Sequence, residues 1–251
     1  MFSKPQKQFI KSLKQKKFRN ESECFTVEGI KSVNEVLDSD FEVLQIIGIQ
    51  DFMQSRNFPN TVQITEVSPK ELEELSQFST PQSVIAVVKQ KVFQVDKNWG
   101  NDIVLALDDI RDPGNLGTII RTADWFGIRH IIASETSVDW FNSKVIQASM
   151  GSFTRIGLVY ADLEKFLASE SKKRRILATA LEGEGINRFS FLSNDIILIG
   201  NEANCVQDKH FKFAEERLFI PRFKTNRILT ESLNAATACG ILCYQIRQSL
   251  S

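Results

Sequence analysis

The spacing of apolar and polar positions divides the chain into two parts with different rhythms. Over residues 5–18, Phe9 and Leu13 lie four apart with basic side chains around the rest of the circumference, which predicts one helix with a solvated basic face. Short apolar runs follow at Phe25–Glu28, Val43–Ile49, Val62–Thr65 and Val84–Val88, separated by helix-like stretches such as Ile30–Leu37 and Pro69–Leu75. Such alternation predicts a small α/β module. Polar and charged residues dominate Lys89–Asn101, with Gly100 near the end, so a linker is expected there and domains at residues 1–95 and 96–251.

From Asp102 the apolar runs lengthen. Ile103–Leu107, His130–Ala133, Ile176–Ala180 and Ile196–Ile199 alternate with helical stretches, and Glu231–Gln248 reads as one closing helix rich in Ala and Leu. Near-continuous Ile, Val and Leu suits strands covered on both faces, and βα alternation implies a parallel sheet.

Composition sets the outer bounds. With 251 residues, 42% hydrophobic and 6 prolines, the chain is globular rather than disordered or collagen-like. Cys24, Cys205, Cys239 and Cys243 show no CxxC spacing, and His130 and His210 no HExxH pattern. That argues against a metal site and for a reduced, cytoplasmic chain. No apolar run approaches the ~18 residues of a membrane span, and no h-region follows Met1, so neither secretion nor a membrane is expected.

The 31 basic and 31 acidic residues cancel, but not locally. Residues 1–20 carry Lys4, Lys7, Lys11, Lys14, Lys16, Lys17 and Arg19 with no acid, and a second island holds Arg217, Arg222, Lys224 and Arg227. Phosphate binding responds to local fields, so these islands are candidate nucleic-acid contacts.

In parallel α/β sheets ligands bind beyond the carboxyl ends of the strands, and three such loops are chemically unusual. In the first, Leu107–Arg121, a strand ends in acidic residues, turns through Pro113 and Gly114, and opens a helix at about Asn115. Free N–H groups there can hold an anion or simply be capped. Arg121 on that helix either pairs with Asp124 or offers a fork to phosphate or carboxylate. In the second, Ile196–Glu202, a buried strand ends in Gly200, Asn201 and Glu202, which brings backbone close to a ligand with a carboxylate at the rim, or is an ordinary strand end. In the third, Leu218–Pro221 leads through a basic loop to Ser232 and Asn234, which either cap the last helix or help dock a ligand at its N-terminus. GxGxxG, GxxxxGK[ST] and GxSxG patterns are all missing, which removes dinucleotide, P-loop and hydrolase-elbow readings.

In this order the three segments resemble the motifs of the SpoU (TrmH-type) RNA ribose 2′-O-methyltransferases of the SPOUT superfamily. Asn115-Leu-Gly-Thr-Ile-Ile-Arg121 resembles motif one, Ile199-Gly-Asn-Glu202 motif two, and Ile220-Pro221 with Ser232-Leu-Asn234 motif three. Ala148–Arg155 is similar to the stretch between motifs one and two, and Lys14–Gly29 to the start of the family's small amino-terminal domain. The resemblance implies a parallel-sheet α/β catalytic domain with a carboxy-terminal trefoil knot, plus a small α/β amino-terminal RNA-binding domain. It also implies S-adenosylmethionine as cofactor, structured ribosomal or transfer RNA as substrate, and a homodimer whose active site uses both subunits.

Residue by residue, Asn115, Arg121, Glu202, Ser232 and Asn234 fall on catalytic positions, while Ile199, Gly200, Asn201, Ile220 and Leu233 fall in the cofactor segments. Arg155, Arg222, Lys224 and Arg227 join the amino-terminal basic residues as expected RNA contacts. The sequence departs from the pattern where Ala203-Asn-Cys205 replaces Gly-x-Gly, where extra residues appear around Arg222–Thr230, and where Ala235 replaces a usual Val.

Since a guanidinium is protonated near neutral pH, Arg121 is expected to stabilise charge rather than act as a base. Two rivals are an RNA-binding protein that retains the fold without turnover, which would not bind S-adenosylmethionine, and a generic nucleotide-binding α/β enzyme.

Overall fold

The computed structural model describes residues 3–93, 102–201, 205–222 and 230–250. Two compact units emerge, Met1–Val92 with Asp139–Thr154, and Phe93–Val138 with Arg155–Ser251.

The chain runs α1 (Lys4–Ser12), α2 (Lys16–Ser22), β1 (Cys24–Glu28), α3 (Ile30–Leu37), β2 (Val43–Gly48), α4 (Gln50–Gln54), β3 (Gln63–Glu66), α5 (Pro69–Leu75) and β4 (Val84–Lys89). It continues through β5 (Val104–Asp108), α6 (Pro113–Trp125), β6 (His130–Ser134), α7 (Ser143–Ser149), β7 (Gly157–Ala161), α8 (Leu163–Glu170), β8 (Ile176–Ala180) and β9 (Glu184–Gly185). Last come β10 (Ile196–Gly200), α9 (Asp208–Phe211), β11 (Glu216–Phe219) and α10 (Ala235–Leu250).

In the first unit a four-stranded sheet has the order β1-β4-β2-β3, antiparallel except for the β2–β3 pair. Residues 5–18 are not one helix. Ile10 and Leu13 are the buried pair, Phe9 is 40% exposed, and the chain breaks between α1 and α2. The break is held by Arg19, only 2% exposed, whose Nη1 donates to the carbonyls of Leu13 (2.9 Å) and Lys14 (2.8 Å). Its Nη2 meets Asp139 Oδ2 at 2.5 Å. Asp139–Thr154 thus completes this unit, and Phe141 and Phe153 pack on Phe25 with ring centroids 4.6 and 6.0 Å away.

The second unit is built on seven parallel strands in the order β7-β6-β5-β10-β8-β11-β9. Burial on both faces explains the unbroken apolar runs: every residue of β5 and β10 is buried. The chain moves outward from β5 through β6 to β7 and then returns to the other side, so the order reverses between β5 and β10. Crevices form at such reversals. Gly200 and Asp108 stand side by side across it.

Candidate cofactor and RNA site

Helix α6 begins at Pro113, two residues earlier than expected, because Asp112 caps it: its Oδ1 accepts from Asn115 N at 2.8 Å. Proline at the first helical position loses nothing, since its N–H would be unpaired anyway. Helix α10 begins later than expected, at Ala235 rather than Glu231, and its cap is Asn234, not Ser232. Asn234 Oδ1 accepts from the N–H groups of Ala236 (3.0 Å) and Thr237 (3.2 Å), while its Nδ2 donates to Asn115 Oδ1 at 2.8 Å. One side chain therefore caps α10 and ties it to the first turn of α6.

Beyond β8, β10 and β11 lies a cavity of about 350 Å³. Ile199, Gly200, Asn201, Ile220, Ser232 and Leu233 line it, so all five expected cofactor residues and one expected catalytic residue meet in one place. Gly200 is there for a steric reason. A Cβ on it would lie 2.0 Å from the Cys205 carbonyl carbon, because the chain folds straight back: Cys205 N donates to Asn201 O at 2.9 Å. Cys205 has φ +53°, a left-handed conformation that costs about 1–2 kcal/mol for a residue with a Cβ. The departure from Gly-x-Gly is accommodated as local backbone strain.

Asn201 is held by Asp109, which sequence reasoning did not single out. Asn201 Nδ2 donates to Asp109 Oδ2 at 3.0 Å, and Asp109, at φ +59°, is buried. The acidic end of β5 was the available signal; its partner lies 92 residues away.

Arg121 is exposed on α6 and, among the described residues, makes no hydrogen bond or ion pair; Asp124 pairs instead with Arg155, Nη2 to Oδ2 at 2.8 Å. The Arg121–Asp124 pairing is therefore corrected, and Arg155 is engaged within the unit. Arg222 donates through Nη2 to Thr230 O. Glu202, Lys224 and Arg227 lie outside the described residues. Of the amino-terminal island, Lys4, Lys11, Lys14, Lys16 and Lys17 are exposed, Lys7 faces Glu74 at 3.4 Å, and Arg19 is removed from the RNA contacts because it is buried and fully engaged. Among the described residues no group of three or more His, Cys, Asp and Glu could hold a metal ion, and no helix is long and apolar enough to cross a membrane.

An all-parallel sheet with an apolar cavity at its carboxyl edge, closed by converging loops and a capped helix, defines a ligand-binding α/β protein. Residues 102–244 match the SpoU rRNA methylase family, and residues 4–86 the MRM3-like substrate binding domain. The chain belongs to the SpoU rRNA methylase family. It is 28% identical over 94% of both chains to the 23S rRNA (guanosine(2553)-2′-O)-methyltransferase RlmP of Bacillus subtilis. A TrmH-family chain from Porphyromonas gingivalis superposes with a TM-score of 0.86 at 31% identity, covering 99% of each chain. The AdoMet-bound rRNA methyltransferase of Sinorhizobium meliloti gives 0.85 at 29% identity, covering 100% of this chain and 97% of its own.

The cavity fits S-adenosylmethionine. Its volume lies within the ordinary range for small-molecule sites, its walls are mainly aliphatic, Gly200 permits close approach of backbone, and Asn201 and Ser232 supply polar atoms.

Proposed function

We propose that this protein methylates a ribose 2′-hydroxyl of 23S ribosomal RNA, using S-adenosylmethionine held by Ile199, Gly200, Asn201, Ile220, Ser232 and Leu233. The observation that carries this reading is the Asn234–Asn115 hydrogen bond, which brings the first and third motif segments together beside an aliphatic cavity of cofactor size. S-adenosylmethionine supplies the electrophilic methyl group. The chain's own residues orient the acceptor hydroxyl and stabilise charge on its oxygen as it gains the methyl group and its proton passes to water. A guanidinium does this electrostatically, and preorganised donors of this kind contribute more than any other single effect in many enzymes. Arg121 is assigned that role, with Asn115, Ser232 and Asn234 positioning the nucleotide; Glu202 is included as a catalytic residue on the resemblance.

The reading includes a homodimer. Its support is the exposed apolar surface of α6 and α10: Trp125 is 84% exposed, Tyr244 55% and Ile241 37%, and the two helices pack against each other. Arg121 lies one turn before Trp125 on α6, so a second subunit docked there would receive Arg121 at its own site. It also includes the trefoil knot implied by the family, a cytoplasmic location, and RNA contacts from the exposed lysines at residues 4–17 together with Arg155, Arg222, Lys224 and Arg227.

Unmodified 23S, 16S and transfer RNA transcripts incubated with tritiated S-adenosylmethionine test the activity, with ribose-methylation mapping of the labelled product. Incorporation at one ribose of 23S RNA is expected; labelling on a base, or none in any RNA, rejects it. Sedimentation should show a dimer that Trp125→Glu converts to monomer.

A further inference from the structure

A second cavity, of about 340 Å³, opens beyond β5, β6 and β7, on the other side of the strand-order reversal. Its walls include Asp109, Arg111, Ser134, Thr136, Lys209 and His210. Behind them is a polar network that the methyl-transfer site does not use. Asp108, fully buried, accepts from Gln207 N (2.8 Å), Gln207 Nε2 (2.6 Å) and His210 Nδ1 (2.8 Å). His210 is 3% exposed. Its Nδ1 is committed to Asp108, its Nε2 makes no hydrogen bond among the described residues, and the residue lines the cavity. A second set of groups lies alongside: Ser134 Oγ accepts from Asp109 N at 2.9 Å and sits 3.1 Å from Thr136 Oγ1.

Most charges at the rim are spent on one another. Arg111 pairs with Asp109, Asp162 with Lys165 and Glu164 with Lys212. Besides the exposed Glu135 and Lys209, what remains is the second nitrogen of a fixed imidazole and a hydroxyl that can donate or accept. The imidazole edge and that hydroxyl suit a sugar hydroxyl, the ribose 2′-hydroxyl being both donor and acceptor. The two cavities are also neighbours: Asn201 lines the first, Asp109 the second, and the bond between them is 3.0 Å long.

We infer that this cavity is a subsite for the ribose of a nucleotide adjacent to the one that is methylated, read through its 2′-hydroxyl by His210 Nε2 and Thr136 Oγ1, an inference that rests on the RNA methylation proposed above. A strand whose reacting ribose lies at the first cavity can then seat its neighbour across the Asp109–Asn201 partition.

The test uses the full-length protein in saturating S-adenosylhomocysteine and a synthetic 23S RNA stem-loop that it retains on a filter. Single 2′-deoxy substitutions are placed at each nucleotide in turn. In the wild type one substitution beside the target should raise Kd about fivefold, the usual weight of one hydrogen bond. In Thr136→Val, and separately in His210→Asn, which keeps an N–H for Asp108, that penalty should fall below about twofold. Calorimetry with S-adenosylmethionine verifies that each variant keeps a wild-type cofactor site. An undiminished penalty in both variants, or no neighbouring penalty in the wild type, overturns the subsite. Coupling without any methyl transfer would instead sink the activity and leave the subsite standing.

Discussion

Two cavities of nearly equal size at the carboxyl edge of the parallel sheet contrast in construction. The one beyond β8, β10 and β11 is walled by aliphatic side chains on loops, and its shape depends on a glycine where the chain folds back on itself. The one beyond β5, β6 and β7 is walled by polar groups, and its shape depends on a fully buried carboxylate with three donors. Binding in the first draws on non-directional burial of apolar surface, in the second on directed hydrogen bonds. The same fold edge thus offers one wall that tolerates small displacements and one that does not.

The largest effect should come from the polar side. Asp108→Ala strands His210 and Gln207 without their acceptor, and each buried donor left unpaired costs about 1–3 kcal/mol. Urea unfolding measures this, and a wild-type midpoint would show that the buried acid does not frame the second cavity. Next comes Arg121, which lines neither cavity: Arg121→Ala should lower kcat about 10²–10³-fold at saturating RNA while leaving cofactor affinity unchanged. Arg121→Lys separates fork geometry from bare charge, because it retains only the charge. Full turnover by the alanine variant would exclude the electrostatic role.

On the apolar side, Gly200→Ala forces a carbon into the Cys205 backbone and should cost about 1–3 kcal/mol as well as most of the cofactor affinity by calorimetry. Normal affinity would mean that the loop yields, and the contrast in rigidity between the cavities would run the other way. The smallest expected change is a gain. Cys205→Gly relieves the left-handed backbone and should add up to about 1 kcal/mol in thermal unfolding, part of the relief being offset by the greater entropy of glycine in the unfolded chain. No gain would mean that Cys205 has packing that compensates its conformation.

The strands of the second unit were legible because burial on both faces leaves little besides Ile, Val, Leu and Ala in them; Ile176–Ala180 matches to the residue. The ends of the helices were less so. Ser232 and Asn234 are equivalent caps by residue type, and only the bonds from Ala236 N and Thr237 N to Asn234 Oδ1 show which one starts α10. Basic residues near the amino terminus looked alike, yet Arg19 is distinguished by a partner 120 positions away that no local pattern reveals. The same distance problem hid His210, whose partner Asp108 is separated from it by 102 residues. Short-range rhythm reports which face is buried, whereas polar networks join loops that follow different strands.

The return of Asp139–Thr154 to the first unit has a consequence for the newborn protein. As the ribosome extrudes the chain, Arg19 and Phe25 emerge long before Asp139, Phe141 and Phe153. Until residue 154 has cleared the exit tunnel, the first unit lacks a counter-ion for a buried arginine and a cover for its aromatic cluster. A fragment ending at Val92 would be left in that state permanently. The amino-terminal unit is therefore not a detachable cassette, and its completion is timed by synthesis of the methylase region.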